Sequence, residues 1–185
     1  WVGWPGRVEP ARQDEVMQEA FSRFQSYPVF LTEEQMEHFY LGFCNATIWP
    51  LFHYFPTYTE YHAAYWEQYR QINQVFCDAL EEVIRPNDIV WIHDYHLMLL
   101  PRMLKTLRPQ VSVGFFLHIP FPSFEVFRLL PGEWRREILE GLLGADRMEG
   151  GLGDDSYFVE SAGDVVVELA NARGSKRATT LESAS

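Results

Sequence analysis

The chain has 185 residues, 47% of them hydrophobic and 16% aromatic, which is enough for one full globular domain with a short appendage. A formal net charge of −11 argues against nucleic acid and anionic membrane as partners. No apolar run approaches the roughly 18 residues of a membrane span, and residues 1–6 have neither the basic flank nor the apolar centre of a signal peptide. Because the chain does not begin with Met, we expect a piece of a longer protein.

The first half of the sequence predicts helices around one short strand. A helix is predicted over 11–25, and its apolar face comprises Val16, Ala20, Phe21 and Phe24. Residues 28–31 predict a short buried strand, and Thr32 starts a capping box for the next helix. Residues 39–53 form a dense aromatic run that favours a helix, with Pro50 near a helix start or a kink.

The longest amphipathic pattern covers residues 58–84. Its apolar positions recur three or four apart, at Tyr61, Tyr65, Tyr69, Ile72, Phe76, Ala79 and Val83. Cys44 and Cys77 both lie inside apolar helical patterns, which favours buried thiols over a disulfide. Such thiols fit a reducing compartment, so we expect a cytoplasmic protein.

Two buried strands are predicted next, over 88–94 and 111–118, with a helix over 97–107 between them. This order predicts a parallel crossover unit, and helices follow after Ser123 and over about 133–143. The predicted fold class is therefore α/β, with a parallel, Rossmann-like sheet flanked by helices. Ligands of open α/β sheets lie beyond the carboxyl ends of the strands, where Asp94 and His118 fall.

Each candidate residue also has a plain structural interpretation. A carboxylate such as Asp94 must be solvated, paired or bound to a ligand, and His93 or His96 could satisfy it. A histidine after an apolar strand, such as His118, is more often a core residue than a ligand. The His93-x-x-His96 spacing does not favour a metal site, because it spans a strand–helix turn.

The aromatic residues Tyr40 and Trp49 are also more typical of a core than of a binding site. They are nine positions apart, which is out of phase for one buried face of an α-helix. Tyr and Trp can nevertheless stack on a sugar ring while offering a polar group. The residues alone leave both interpretations open.

Four segments, taken together, closely resemble trehalose-6-phosphate synthases, a family of retaining glycosyltransferases with two Rossmann-like domains. The segments are residues 39–54, 91–101, 114–123 and 138–146. They occur in the family's order, and the resemblance covers about residues 1–146, within the N-terminal domain of the family.

The resemblance implies transfer of glucose from UDP-glucose to glucose 6-phosphate, giving trehalose 6-phosphate and UDP, without a cofactor or a metal. By position in the motifs, the residues implied for acceptor binding are Trp4, Tyr40, Trp49 and Asp94. His118 and Ile119 match positions placed against the donor glucose. The implied partners are therefore UDP-glucose and glucose 6-phosphate.

The resemblance also implies what this chain does not contain. The family's first strand and glycine-rich donor loop precede the matching motifs, and the Arg and Lys that hold the UDP phosphates belong to the second domain. We therefore predict that this chain alone is inactive. A non-catalytic sugar-phosphate-binding or regulatory module stays an alternative, and the oligomeric state of the parent enzyme stays open.

The sequence changes character after Asp146, where the family continues into another buried strand and this chain is expected to depart from it. We predict a partial Rossmann-like glycosyltransferase domain over 1–146, a glycine–aspartate repeat-like tail over 147–173 and a disordered end over 174–185. The tail resembles one haemolysin-type calcium-binding repeat, with Asp155 as the Ca²⁺ candidate. A glycine-rich turn followed by a hairpin, a calcium-binding repeat protein and a chimeric reading frame are the interpretations left open.

Overall fold

The computed structural model describes residues 1–152 and 165–169. Strand β1 (Val2–Gly3) pairs in parallel with strand β2 (Tyr27–Pro28), and helix α1 (Gln13–Phe24) connects the two strands. The predicted helix over 11–25 is confirmed, and its apolar face is only partly covered. Phe21 and Phe24 are 61% and 66% exposed, because this side of α1 does not pack on the main core. Phe21 instead lines an open cleft of about 1020 Å³ beside β1.

The predicted capping box is confirmed. The Thr32 hydroxyl accepts a hydrogen bond from the Gln35 backbone N–H, and the Gln35 side chain accepts one from the Thr32 N–H. Helix α2 (Glu33–Met36) begins there and continues as a π-helical segment over Glu37–Ile48, which we call the wide helix. It ends in the short helix α3 (Trp49–Phe52), whose first turn contains a proline.

Helix α4 (Ala63–Val83) confirms the long amphipathic pattern. It buries Tyr69, Ile72, Phe76 and Ala79, whereas Tyr61 precedes the helix and is partly exposed. Both cysteines are buried and free, as predicted. The wide helix and α4 pack together and provide much of the apolar core of the described residues.

Strand β3 (Ile89–His93), helix α5 (Leu100–Leu107) and strand β4 (Ser112–Phe116) form the predicted parallel crossover. The expectation that β3 is buried is wrong, since Ile89 is 73% exposed and only Ile92 of this strand is buried. Among the described residues β3 pairs with β4 alone and stands at the edge of its sheet, so its outer side is open.

Helices α6 (Phe124–Phe127) and α7 (Gly132–Leu142) follow β4. Helix α7 approaches α5 and the turn before it very closely. A Cβ at Gly141 would overlap the carbonyl oxygen of Met98 and lie 2.7 Å from the Cα of Leu99. Glycine at this position is therefore a packing requirement.

Beyond α7 the chain returns to the sheet as strand β5 (Arg147–Leu152), which pairs in parallel with β4. The expectation that the chain leaves the family's path after Asp146 is therefore wrong at this step. Strand β6 (Val165–Leu169) pairs in parallel with β5, where a hairpin would have been antiparallel. Asp155 and the end over 174–185 lie outside the described residues.

Asp146 fixes the entry into β5. Its N–H donates to the carbonyl oxygen of Val113 over 2.8 Å, and its Oδ2 accepts from the Val113 N–H over 2.8 Å. Its Oδ1 lies 2.7 Å from Nζ of Lys105. The sheet order is β3-β4-β5-β6. Among residues 1–152 and 165–169, no helix combines the length and apolar character needed to cross a membrane.

Candidate functional site

Asp94 follows β3 in a backbone conformation that is rare for any residue except glycine. Its φ is 72° and its ψ is 169°, a region that costs on the order of 1–3 kcal/mol. Its N–H donates to the carbonyl oxygen of Phe116 over 2.7 Å, and its Oδ1 accepts from the Tyr95 N–H over 3.0 Å. The carboxylate thus stands at the carboxyl ends of β3 and β4 on a strained backbone.

A chain of aromatic rings begins beside Asp94, where Nδ1 of His96 lies 3.8 Å from its Oδ2. The ring of His96 stacks on Tyr40 at 5.6 Å and on Tyr95 at 4.3 Å between centroids. The ring centroid of Tyr40 in turn lies 6.3 Å from that of Trp4, and the ring centroid of Trp49 lies 6.1 Å from that of Tyr95. The structure therefore brings all four residues predicted for acceptor binding into one group, joined by Tyr95 and His96.

The wide helix explains how Tyr40 and Trp49 reach the same side. Nine residues make two and a half turns of an α-helix, which would place the two rings on opposite faces. The Trp49 N–H donates to the Cys44 carbonyl, five residues back. A helix with this bonding has roughly four and a half residues per turn, so nine residues make two turns. Both rings are partly exposed, at 37% and 45%.

His118 lies at the end of β4, as predicted, and its partner is His93. Nδ1 of His93 is 3.1 Å from Nε2 of His118, and the two rings stack at 5.3 Å. The ring centroid of Trp1 lies 6.2 Å from that of His93. Burial and the neighbouring His118 lower the pKa of His93, while Asp94 opposes the shift. These contacts favour a neutral His93 at neutral pH.

The pKa of His96 is also lowered by burial, against the opposing effect of Asp94. Its Nδ1 lies 3.8 Å from Oδ2 of Asp94, and its buried Nε2 has no hydrogen-bond partner in the described part of the chain. His93 and His96 therefore face different partners. Within residues 1–152 and 165–169, no three His, Cys, Asp or Glu side chains are arranged to hold a metal ion.

Ile119 behaves differently from the other predicted site residues, because its side chain is buried in the core. Sequence reasoning considered His93 and His96 as partners of Asp94 or as a disfavoured metal pair, and it missed Tyr95 and Trp1. His93 could have been identified as a site residue from its place at a strand end, one residue before Asp94. The stacking of Tyr95 had no signal in the sequence.

The chain is similar in sequence to proteins named as trehalose-6-phosphate synthases. The bifunctional trehalose-6-phosphate synthase/phosphatase of Thermoproteus tenax is 51% identical over 146 residues, which is 79% of this chain and 20% of the relative. The chain therefore spans about a fifth of the length of that curated relative. The trehalose-6-phosphate synthase of Mycolicibacterium smegmatis is 44% identical over 146 residues and is covered to 28%.

A solved structure has the same architecture. The trehalose-6-phosphate phosphatase N-terminal domain of Candida albicans superposes with a TM-score of 0.70 at 35% identity, covering 80% of this chain and 31% of that one. This likeness confirms the predicted α/β fold class with a parallel sheet.

The match to the family extends beyond the relatives' 146 residues. The pattern of glycosyltransferase family 20 matches residues 1–178, a range that includes most of the segment expected to depart from the family. The calcium-binding repeat gains no support from this match and stays a prediction. The chain belongs to glycosyltransferase family 20.

Proposed function

We propose that this chain provides the acceptor-binding part of an enzyme that transfers glucose from UDP-glucose to glucose 6-phosphate. The observation that carries the proposal is the single group formed by Asp94, Tyr40, Trp49 and Trp4 at the end of β3. A carboxylate can accept hydrogen bonds from two sugar hydroxyls, and aromatic faces cover the apolar side of a pyranose ring.

The comparisons support the substrate class. A structure described as a UDP-forming synthase from Burkholderia xenovorans in complex with glucose-6-phosphate matches this chain at 34% identity with a TM-score of 0.63, covering 67% of this chain and 27% of that one. The resemblance assigns acceptor binding to Tyr40, Trp49 and Asp94. It assigns contact with the donor glucose to His118. Their assignment to individual sugar hydroxyls is part of the proposal.

In the proposed reaction the acceptor hydroxyl attacks the anomeric carbon on the face that the nucleotide leaves. The bond between that carbon and the UDP oxygen breaks, the new glycosidic bond forms, and the proton of the hydroxyl passes to the departing phosphate. Asp94 orients the acceptor, and His118 faces the donor glucose. Ile119, whose side chain is buried, would shape the wall behind His118.

We propose further that this chain alone does not complete the reaction. Both substrates are anions, and such groups are held by fixed cations in enzyme sites. The residues that form the candidate site are aromatic, histidine and aspartate side chains, with no lysine or arginine among them. The chain also spans only 20% of the Thermoproteus relative.

The test is calorimetric titration of the purified chain with glucose 6-phosphate, alongside an assay of UDP release. Asp94→Asn keeps the size of the side chain and should weaken binding about tenfold or more, because charged hydrogen bonds are lost. Asp88→Asn is the matched control, since Asp88 lies at the opposite end of β3 and accepts only from the Arg85 N–H in the described contacts. Equal effects of the two substitutions would contradict the proposal.

A non-catalytic sugar-phosphate-binding module is the second candidate, favoured by the same partial coverage of the relatives. It predicts binding of glucose 6-phosphate without release of UDP, even when the remaining domain of a relative is supplied as a separate polypeptide. Release of UDP in that mixture would favour the glycosyltransferase.

A further inference from the structure

Two fully buried polar side chains of α4 lie behind residues 94–99, which we call the Asp94 loop. Tyr69 and Asn73 are both 0% exposed, and apolar side chains of the core surround them. Buried polar groups are costly unless they are hydrogen-bonded, so their partners show what they do. Burial raises the pKa of Tyr69 well above its usual value, which keeps the hydroxyl protonated as a donor.

Among the described residues, the hydrogen bonds that these two side chains make outside α4 all go to the backbone that follows Asp94. The Tyr69 hydroxyl donates to the Tyr95 carbonyl over 2.8 Å and accepts from the Met98 N–H over 2.9 Å. Asn73 donates to the His96 carbonyl over 3.2 Å and accepts from the Leu99 N–H over 3.2 Å. Four bonds from one helix thus fix residues 95–99.

These bonds bear on Asp94 because its conformation needs restraint. A residue other than glycine at φ 72° and ψ 169° relaxes unless its surroundings determine its geometry. Upstream, the Asp94 N–H is held by Phe116. Downstream, the chain is held by Tyr69 and Asn73. The strained residue is therefore restrained from both sides, and the α4 side is the one without a role in the proposed chemistry.

We infer that Tyr69 and Asn73 are positioning residues, which hold Asp94 in its strained conformation and so aim its carboxylate at the ligand. The ligand part of this inference rests on the proposed function, whereas the restraint of Asp94 does not. A purely structural role for the two side chains would stabilise the fold without any energetic link to the backbone of Asp94.

A double-mutant cycle separates the two roles. Tyr69→Phe removes the hydroxyl bonds, and in the native background part of that loss is offset as Asp94 relaxes. Asp94→Gly removes the strain in advance, so nothing offsets the loss in that background. We expect Tyr69→Phe to lower the melting temperature of the 185-residue chain by about 2–4 °C more in the Asp94→Gly background than in the native one.

Thr47→Val is the matched control. Thr47 is also 0% exposed, and its hydroxyl donates to the Glu60 carbonyl over 2.6 Å, away from the Asp94 loop. Its effect should be the same in both backgrounds. If Tyr69→Phe unfolds the chain, Asn73→Ala in both backgrounds provides the same comparison. Equal shifts for Tyr69→Phe, or Asn73→Ala in its place, would overturn the inference.

Titration with glucose 6-phosphate then tests the positioning of the carboxylate. Tyr69→Phe should weaken binding several-fold although the side chain cannot touch a ligand, and Thr47→Val should leave it unchanged. Coupling in the cycle with unchanged affinity would overturn the positioning role. Failure of the unsubstituted chain to bind would contradict the proposed function, and the restraint of Asp94 would still be decided by the cycle.

Discussion

Nδ1 of His93 lies 3.1 Å from Nε2 of His118, so the adjoining ends of β3 and β4 share one hydrogen bond between two imidazoles. Such a bond needs one nitrogen to carry a proton and the other to be free of one. Full protonation of both rings would set two N–H groups against each other. The hydrogen bond is therefore lost when both rings are protonated.

This relationship predicts an acid-sensitive fold. The pKa of His93 is lowered in the folded state, chiefly by burial and then by His118, so below about pH 6.5 the unfolded chain binds more protons. Stability should be unaffected by this group above that pH and should fall as the pH drops through the folded pKa. Urea unfolding at pH 7.5 and 5.5 measures the loss.

The matched variant is His93→Gln, which keeps a hydrogen-bonding side chain and removes the titration. We expect its stability to fall less between pH 7.5 and 5.5 than that of the unsubstituted chain. The His96 pair with Asp94 contributes a decrease of the same sign, because burial lowers the pKa of His96 too. Identical slopes for His93→Gln and the parent would contradict the prediction.

Asp94→Gly and Asp94→Ala should differ in stability. Both remove the carboxylate and its bond to the Tyr95 N–H, but only glycine adopts φ 72° and ψ 169° without strain. We expect the glycine variant to be more stable than the alanine variant by about 1–3 kcal/mol. Chemical denaturation of the two proteins measures the difference, and a more stable alanine variant would contradict the strain.

Gly141 and Gly132 should respond oppositely to alanine. A Cβ at Gly141 meets the backbone of Met98 and Leu99, which cannot move aside as a side chain can. Gly141→Ala should therefore destabilise the protein by about 1–3 kcal/mol, as overpacking does.

Gly132 is the control, because its nearest neighbour to a Cβ is the flexible end of Arg135 at 3.5 Å. It lies at the start of α7, so Gly132→Ala should be neutral or stabilise by up to about 1 kcal/mol. Thermal unfolding of both variants provides the comparison. Equal destabilisation would mean that the close approach of α7 to α5 is absent.

Cys77 should react slowly with thiol reagents. Burial raises its pKa to about 11, and the charges of Asp78 and Glu81 add to the shift. At pH 8 its thiolate fraction should be roughly 100-fold below that of an unperturbed cysteine. Alkylation of a Cys44→Ala variant in buffer and in denaturant measures the ratio, and near-equal rates would contradict the shift.

Much of the fold follows from local patterns. The capping box at Thr32, the long apolar stripe of α4 and the parallel crossover from β3 to β4 are all encoded within short windows, and each was predicted. The exposure of Phe21 and Ile89 could not be predicted in this way. It depends on which other elements cover α1 and β3, and the sequences of α1 and β3 do not contain that information.

Some residues of the candidate site can likewise be predicted from the sequence, and the placement of others cannot. Asp94 and His118 are found by the rule that ligands meet strand ends, since the rule needs only the strands. The joint placement of Tyr40 and Trp49 depends on the hydrogen bonding of the wide helix, which nine residues of sequence do not reveal. Strand β5 was missed because glycines weaken the apolar signal of a strand.

The wide helix ties the placement of its two aromatic side chains to the way the backbone is hydrogen-bonded. Tyr40 and Trp49 reach the adjoining rings of His96 and Tyr95 while five-residue hydrogen bonds span the interval. Wound as an ordinary α-helix, the same nine residues would make two and a half turns and would place the two rings on opposite faces. The winding of the backbone is thus the quantity that this stretch must preserve, and a change that restores four-residue bonding without removing a residue should separate the two rings.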